Sequence, residues 1–197
     1  MSFELENFFS SKTNLEKRFI SNHDQLKEIV SALKNKGYKI ILTQGVYDLL
    51  HEGHALYLEK AKSYGDILIV GVDSDELTRI RKGPNRPIVP QEERIRMLVH
   101  LRHVDIVTLR ESNHDIGHLI RTISPDVLIT STSTADFTDD YKKEYQSFCQ
   151  KIITLPPQAT TSTTARIRNI AIEGAENLVC EINKITKEFI NKIKNGQ

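Results

Sequence analysis

The amino-acid sequence predicts an α/β protein with a doubly wound parallel sheet and a C-terminal helical extension. Three observations lead to this fold class. Short apolar runs alternate with segments of helical periodicity along most of the chain, as in parallel strands joined by crossover helices. Residues 67–72 form a continuous apolar run, which is typical of a strand covered on both faces. From about residue 163 to near residue 194 the helical pattern is unbroken.

The first predicted helix and strand lie near the N-terminus. Residues 21–36 place apolar side chains three and four positions apart, Ser21 can cap the start of this helix, and Gly37 can end it. Residues 39–43 are a short apolar run and are predicted to be a buried strand. Residues 1–20 lack clear periodicity and are predicted to be a flexible or packed arm.

The next segments continue the alternation. Residues 54–64 have a helical pattern that Gly65 ends, and residues 67–72 form the second predicted strand. Residues 73–80 and 91–101 are predicted helices, and the loop between them is marked by glycine and proline.

The last three strands are predicted at residues 104–107, 127–129 and 151–155. Between them, residues 114–123 and 139–150 are predicted helices. In such a sheet, ligands bind beyond the carboxyl ends of the strands, near the point where the strand order reverses. We therefore expect binding residues in the loops that follow the strands.

The composition excludes several classes of protein. The chain has 197 residues and 22.5 kDa, which suits one large domain with an appendage. Lys+Arg total 27 and Asp+Glu 26, a balance that gives no support for a nucleic-acid partner. No apolar run approaches the roughly 18 residues of a membrane span, and no secretory signal is evident. Cys149 and Cys180 make no disulfide framework, so the expected location is the reducing cytoplasm.

The loop after the first predicted strand carries most of the chemistry. Residues 45–54 are GVYDLLHEGH, so His51 and His54 flank Gly53 where a strand gives way to a helix. The unpaired N–H groups of a helix start favour phosphate, and imidazole N–H groups can donate hydrogen bonds to phosphate oxygens. A zinc site would need a third ligand, and none is evidently placed to supply one, so no metal site is predicted.

This stretch resembles the H-x-G-H signature of the cytidylyltransferase-like nucleotidyltransferases, whose fuller form is G-x-[FY]-D-x-x-H-x-G-H. The matching residues are Gly45, Tyr47, Asp48, His51, Gly53 and His54. Class I aminoacyl-tRNA synthetases share a related motif, but they are much longer and their second signature is not evident here.

Further segments extend the resemblance over about residues 21–170. Residues 81–88 (RKGPNRPI) are similar to a loop of the heptose 1-phosphate adenylyltransferases. Residues 92–94 (EER) resemble the E-x-R helix start of the family, and residues 161–164 (TSTT) resemble its S-T-T segment.

The resemblance implies a Rossmann-like domain at residues 21–170, between an arm at 1–20 and an extension at 171–197. It also implies a reaction, in which a phosphate monoester attacks the α-phosphate of a nucleoside triphosphate, pyrophosphate leaves, and Mg²⁺ brought with the nucleotide assists. The expected partners are thus a nucleoside triphosphate and a phosphorylated small-molecule acceptor, with no nucleic acid and no membrane.

Roles carried over from the family fall into three groups. The catalytic residues are His51, His54 and Lys82. The residues expected to bind nucleotide are Gln44, Gly45, Val46, Tyr47, Asp48, Gly53, Arg94, Ser162, Thr163 and Thr164. The residues expected to bind the acceptor are Asp73, Arg166 and Arg168. Residue chemistry alone allows other interpretations: a solvent-facing Lys82, an exposed ion pair at Arg94, and a simple helix cap at the Ser/Thr segment.

Two departures leave the substrates open. Residues 130–137 (TSTSTADF) lack the lysine and glycines that the adenylyltransferase group has there, and Arg166 stands where the family often has an apolar residue. ATP with a heptose 1-phosphate-like acceptor is the leading expectation. The alternatives are CTP with glycerol 3-phosphate or a similar alcohol phosphate, a flavin-nucleotide synthase, and a nucleotide-binding regulatory module without turnover.

The C-terminal helix carries an apolar stripe at spacings of three and four. The stripe consists of Leu178, Ile182, Ile185, Phe189 and Ile193. Such a stripe packs either against its own domain or against the same helix of a second subunit. We expect a homodimer, formed through this helix or through the sheet edge.

Overall fold

The computed structural model describes residues 15–132, 137–159 and 163–194. In this part of the chain, parallel strands form one five-stranded sheet in the order β3-β2-β1-β4-β5. The strands are β1 (Ile40–Gly45), β2 (Ile67–Asp73), β3 (Ile106–Arg110), β4 (Val127–Ser131) and β5 (Lys151–Leu155). The predicted α/β class with a parallel sheet is confirmed.

Helices connect the strands and extend the chain beyond them. They are α1 (Leu15–Arg18), α2 (His23–Asn35), α3 (Glu52–Lys62), α4 (Asp75–Lys82), α5 (Gln91–His100), α6 (His118–Ile123), α7 (Asp139–Tyr145) and α8 (Thr163–Lys194). All the predicted helices are present, although α7 ends at Tyr145 rather than at residue 150.

Alternate residues of β1 face two helical layers. Ile40 and Leu42 pack in one apolar cluster with α2 and α6, whereas Ile41 packs in a second cluster with α3 and α5. All three side chains are fully buried. Full burial of such a side chain contributes about 1.5–3 kcal/mol, so both faces of the sheet contribute to the core. The sheet is therefore doubly wound, as predicted.

The strand order reverses between β1 and β4. In the sheet, Ile41 lies between Leu68 of β2 and Val127 of β4. From β1 the chain adds β2 and then β3 on one side of the sheet. It then crosses back and forms β4 and β5 on the other side of β1. The carboxyl ends of β1 and β4 thus flank the crevice in which doubly wound sheets bind their ligands.

The α2 helix begins later than the periodicity predicts. Its N-cap is Asn22, whose Oδ1 accepts a hydrogen bond from the Gln25 amide at 2.9 Å. The prediction of a cap at Ser21 is therefore wrong. At the other end Gly37 takes a positive φ of 86° directly after the helix, which confirms the predicted stop.

The α4 helix also begins later than predicted, with a consequence for the site. The Ser74 hydroxyl accepts a hydrogen bond from the Leu77 amide at 3.1 Å and caps the helix. Asp73, which the periodicity assigned to the helix, is instead the last residue of β2 and is fully buried. Its carboxylate therefore lies at the carboxyl edge of the sheet.

Residues 15–20 of the predicted arm pack against the β3 side of the sheet. The Arg18 guanidinium donates hydrogen bonds to the carbonyl oxygens of Val99 (2.8 Å), Asp105 (3.1 Å) and Val104. Phe19 forms a parallel bridge with Val107 of β3. The sequence left open whether the arm is flexible or packed, and residues 15–20 are packed.

Contacts within the chain divide it into two compact units, Met1–Thr160 and Thr161–Gln197. The first contains the sheet and helices α1–α7, and the second contains α8. The division falls ten residues before the boundary predicted at residue 170. None of the described helices is long and apolar enough to span a membrane.

The apolar stripe of α8 generates the first prediction. Leu178, Ile182 and Ile185 are each more than half exposed in the single chain, and we expect them to be covered in a dimer. Light scattering at micromolar concentration should give the mass of two chains for the wild type and of one chain for Ile182→Lys. The control Glu176→Lys, on the opposite face of the helix, should remain dimeric. A monomeric wild-type chain would contradict the prediction.

Candidate functional site

A tight turn after β1 places the predicted phosphate loop. Tyr47 (φ 54°) and Leu49 (φ 46°) both adopt the left-handed conformation, which is rare for residues other than glycine. Such backbone conformations cost free energy and are found preferentially at functional sites. This turn brings the chain from the end of β1 to the start of α3, at the crevice between β1 and β4.

His51 closes the first turn of α3. Its ring Nδ1 accepts a hydrogen bond from the Gly53 amide at 3.1 Å, so His51 is the N-cap and the helix begins at Glu52, two residues earlier than predicted. With Nδ1 acting as an acceptor, the neutral ring carries its proton on Nε2 and can donate from there. A Cβ on Gly53 would lie 2.9 Å from His51 Cε1, so a larger residue at this position would displace the His51 ring.

His54 lies beside His51 and is neutral at pH 7. The two ring centroids are 4.0 Å apart. Burial, the largest cause, and the charges of His51 and Lys82 together lower the pKa of His54 to about 4, against a smaller raising effect from Asp48. Its buried Nδ1 has no hydrogen-bond partner among the described residues. An imidazole that is buried, neutral and incompletely bonded can accept or donate one hydrogen bond to a ligand.

Lys82 is the last residue of α4, rather than part of the glycine-proline loop that follows it. Its side chain is exposed, yet its charge contributes to the low pKa of His54. The structure therefore brings together the three predicted catalytic residues His51, His54 and Lys82. They combine a helix N-terminus, two imidazoles and one ammonium group, an arrangement suited to a polyphosphate.

Asp48 is buried below the loop that follows α4. Its carboxylate accepts hydrogen bonds from the Ile88 amide (3.0 Å) and the Val89 amide (2.9 Å), and it pairs with Arg86 Nη1 at 3.1 Å. These contacts join the loop after β1 to the loop after α4. Asp48 is thus a positioning residue in the structure, and the expected nucleotide contact of this side chain stays a prediction.

Arg94 is the largest fully buried side chain in the structure's core, among the described residues. It donates to the carbonyl oxygens of Val46 (2.5 Å), Asp73 (2.9 Å) and Val89 (2.9 Å), and to the Asp75 carboxylate at 2.6 Å. The alternative of an exposed ion pair at Arg94 is wrong. These four hydrogen bonds leave one of the five N–H donors of the guanidinium for a ligand, so its nucleotide contact stays a prediction.

Asp73 forms a buried ionic cluster that the sequence did not indicate. Its Oδ1 accepts from Arg110 Nε (3.0 Å) and Nη2 (2.7 Å), and its Oδ2 pairs with Arg81. Arg110 was missed because β3 was predicted to end at residue 107, whereas it continues to residue 110. An arginine at the carboxyl end of a strand is the signal that could have identified it.

A cleft of about 300 Å³ adjoins this ionic cluster. Its lining includes Arg81, Arg110, His114, Tyr141 and Tyr145. Both arginines lie at the same edge of the sheet as the loop after β1, because parallel strands end on one side. Cationic and aromatic groups around a cleft of this size suit a small anionic molecule such as a sugar phosphate.

The remaining predicted residues divide between the two units. Gln44 donates from Nε2 to the Ile116 carbonyl at 2.9 Å, while its buried Oε1 has no hydrogen-bond partner among the described residues. Thr164, Arg166 and Arg168 are exposed on α8, and Thr163 is the first residue of that helix. Ser162 lies outside the described residues. Nucleotide contacts at 162–164 and acceptor contacts at the two arginines stay predictions.

Comparisons with known proteins give the same assignment as the motif. The model of the family described as cytidylyltransferase-like matches residues 42–170. The bifunctional protein HldE of Desulfatibacillum aliphaticivorans is 38% identical over 151 residues, which are 74% of this chain and 30% of that protein. HldE of Geobacter metallireducens is 44% identical over 110 residues, 56% of this chain and 22% of that protein. The chain thus spans less than a third of these relatives.

Solved structures support the fold. The lipopolysaccharide core biosynthesis protein from Thermoplasma volcanium matches with a TM-score of 0.55 and 25% identity, over 62% of this chain and all of that one. Pantoate-beta-alanine ligase from Francisella tularensis matches with a TM-score of 0.51 and 21% identity, over 72% of this chain and 67% of that one. At that identity, the second likeness bears on the fold alone.

The charge coupling between Lys82 and His54 can be measured. In Lys82→Met, the pKa of His54, followed by NMR of its ring, should rise above about 4 while staying below 6.5, because burial is the larger cause. His54 takes up its proton at a higher pH in the unfolded chain than in the folded chain, so stability is lost as the pH falls from 6.5 to 4. Because the pKa of His54 is less depressed in Lys82→Met, this variant should lose less stability over that range. The control Lys27→Met on α2 should leave this pKa unchanged. An unchanged value in Lys82→Met would show that the ammonium does not lie beside the ring.

The positioning role of Asp48 can be tested by Asp48→Asn. The amide retains one acceptor oxygen for two backbone N–H donors and loses the ion pair with Arg86, so we expect a loss of about 1–3 kcal/mol in unfolding free energy. Amide exchange at Ile88 and Val89 should become faster. The control Glu28→Gln, exposed on α2, should change neither quantity. Unchanged exchange in Asp48→Asn would contradict the role.

Proposed function

Because this chain belongs to the cytidylyltransferase-like family, we propose that it is a nucleotidyltransferase. It transfers a nucleoside monophosphate from a nucleoside triphosphate, ATP in the first instance, to a sugar phosphate such as heptose 1-phosphate, and it releases pyrophosphate. The observation that carries the proposal is the convergence of His51, His54 and Lys82 at the N-terminus of α3. This constellation supports phosphoryl chemistry without a protein nucleophile.

The first step of the proposed reaction is binding of the triphosphate at the start of α3. The helix N-terminus provides backbone N–H groups and a partial positive charge for the phosphate oxygens. The proton on Nε2 of His51 adds a donor, and its position is fixed because Nδ1 is occupied by the Gly53 amide. His54 enters as a neutral ring, so it contributes a hydrogen bond rather than a full charge.

The chemical step is an in-line displacement at the α-phosphorus. An oxygen of the acceptor phosphate forms a bond to this phosphorus, and the bond to the bridging oxygen of the pyrophosphate breaks. The leaving group takes the electron pair, so negative charge grows on the β-phosphate. Positioning and charge stabilisation are the main tasks of a protein in such a transfer, and His51, His54 and Lys82 would perform both.

Mg²⁺ enters this proposal as part of the nucleotide substrate. The described carboxylates at this edge of the sheet, Asp48 and Asp73, are paired with arginines. Because these carboxylates are already paired, the ion would be held by phosphate oxygens and water rather than by a cage of protein ligands. When bound, Mg²⁺ neutralises charge on the phosphates, a task it would share with Lys82.

The acceptor is assigned to the cleft beside Asp73. Arg81 and Arg110 line it, and Asp73 holds both guanidinium groups in place. Arginines whose planar guanidinium groups are held in place suit bidentate recognition of a phosphate. Tyr141, which is partly exposed at the same cleft, offers a hydroxyl group and a ring face for a sugar. Asp73 would thus act on the acceptor indirectly, by orienting the arginines.

Two observations support ATP with a heptose phosphate over the other substrates. The segment at residues 81–88 resembles a loop of the heptose 1-phosphate adenylyltransferases, and relatives named HldE match at 34–44% identity. The departure at residues 130–137 leaves the exact substrate open and motivates the other candidates, CTP with glycerol 3-phosphate and a nucleotide-binding module without turnover. Residues 133–136 of this loop lie outside the described residues.

Pyrophosphate release by the purified chain tests the proposal. ATP, CTP, GTP and UTP are each combined with heptose 1-phosphate, glycerol 3-phosphate and a no-acceptor control. Release with ATP and heptose 1-phosphate alone is the expected result, whereas release with CTP and glycerol 3-phosphate would select the second candidate. A nucleotide that raises the melting temperature without pyrophosphate release from any pair would instead identify a binding module.

The phosphate role of His54 gives a kinetic prediction. In His54→Ala, kcat should fall by about 10²–10³-fold, the usual effect of removing one donor from a developing negative charge. The melting temperature should change much less. His103→Ala, an exposed histidine near Glu59, is the matched control and should keep wild-type kcat. Full kcat in His54→Ala with a good acceptor would exclude the role.

A further inference from the structure

Three histidines meet at a surface depression away from the loop after β1. His23 is the first residue of α2, His118 is the first residue of α6, and His114 lies in the loop before α6. One ring nitrogen from each lies within 4.8 Å of the other two. They are separated by up to 95 residues in the sequence, which is why the spacing of histidines along the chain did not reveal them.

The hydrogen bonds of His23 orient one lone pair toward the other rings. Nε2 lies 2.9 Å from the Leu109 carbonyl oxygen, which can only accept, so the proton of the neutral ring is on Nε2. Nδ1 therefore carries a lone pair, and it faces Nε2 of His118 at 2.9 Å. A ring that donates to a backbone carbonyl and presents its other nitrogen is the usual arrangement of a metal-binding histidine.

His114 and His118 complete the cluster. Their rings are stacked, with centroids 3.9 Å apart and planes 2° from parallel. The Glu111 amide donates to Nδ1 of His114 at 3.0 Å and holds this ring in place.

We propose that His23, His114 and His118 bind a divalent transition-metal ion, with Zn²⁺ the best match. Tetrahedral Zn²⁺ with bonds of about 2.1 Å places its nitrogen ligands about 3.4 Å apart, and the three nitrogens here all lie within 4.8 Å of one another. The ion replaces the hydrogen bond between His23 and His118, whose proton moves to Nδ1 of His118. Binding through His114 likewise replaces its hydrogen bond with the Glu111 amide.

The surroundings are compatible with a cation. The depression is lined by Asp24 and Glu111 in addition to the three rings, so carboxylates flank the site. The positive charges that act on His114 and His118 include Arg110 and Arg121, and each is paired with an aspartate, Asp73 and Asp115 respectively. The depression has a volume of about 340 Å³, which leaves space for water in the fourth position of the ion.

The ion would join three elements that are distant in sequence. It connects the start of α2, the loop that follows β3 and the start of α6, so it should stabilise the first unit. The site is separate from His51 and His54 and does not depend on the proposed function. His114 also lines the cleft with Arg81 and Arg110, which places the ion at the rim of that cleft.

Metal titration of the full chain tests this inference. Calorimetry with Zn²⁺, and visible absorption with Co²⁺ as a spectroscopic substitute, should give one ion per chain and the intense bands of a four-coordinate Co²⁺ site. In His118→Gln and in His114→Gln, Zn²⁺ affinity should fall at least tenfold and the Co²⁺ bands should disappear. The control His103→Gln should bind as the wild type does.

Two results would contradict the site. One is no binding by the wild type at Zn²⁺ concentrations up to 100-fold above the protein, and the other is unchanged Zn²⁺ affinity in both His118→Gln and His114→Gln. If the two cluster variants keep Zn²⁺ binding and His54→Ala loses it, the ion is bound at His51 and His54 instead. Circular dichroism of each variant establishes that it is folded, and His114→Gln, in a loop, is the variant least able to disturb a helix.

Discussion

The hydrogen bond from the Gly53 amide to Nδ1 of His51 is the interaction on which the candidate site depends. It starts α3 at the carboxyl end of β1, it fixes the ring proton of His51 on Nε2, and it brings that ring over Gly53 beside His54. A helix N-terminus and two imidazoles then occupy one small region, and burial, together with the charges of His51 and Lys82, keeps His54 neutral. Without the glycine, the ring could not lie there, since a Cβ would meet it at 2.9 Å.

Buried charges hold the loops around this region in place. Asp48 joins the loop after β1 to the loop after α4, and Arg94 joins both to the end of β2. The attraction within a buried ion pair is largely offset by the cost of removing both charges from water, so these residues determine position more than they add stability. Asp73 plays the same part for Arg81 and Arg110 at the neighbouring cleft.

Periodicity predicted the parallel sheet, its helices and the loop that carries His51 and His54, because alternating strands and helices and a glycine-histidine turn are local patterns. It misplaced the starts of α2 and α4, since caps by Asn22 and Ser74 depend on single side-chain hydrogen bonds. The three-histidine cluster could not be predicted, because its members lie on different elements, whereas Arg110 was missed because β3 was predicted to end at residue 107. The exposed-pair alternative for Arg94 failed because the guanidinium is buried and donates to backbone carbonyls of Val46, Val89 and the end of β2.

The central claim is that His51 and His54 contact the phosphates of a nucleotide. NMR of the ¹⁵N-labelled histidine rings, recorded while a non-hydrolysable Mg²⁺–ATP analogue is added, tests it most directly. The account predicts that the ring nitrogens of His51 and His54 shift together with the Gly53 amide, whereas those of His100 and His103 do not. Saturable binding of the analogue with unmoved His51 and His54 resonances would contradict it.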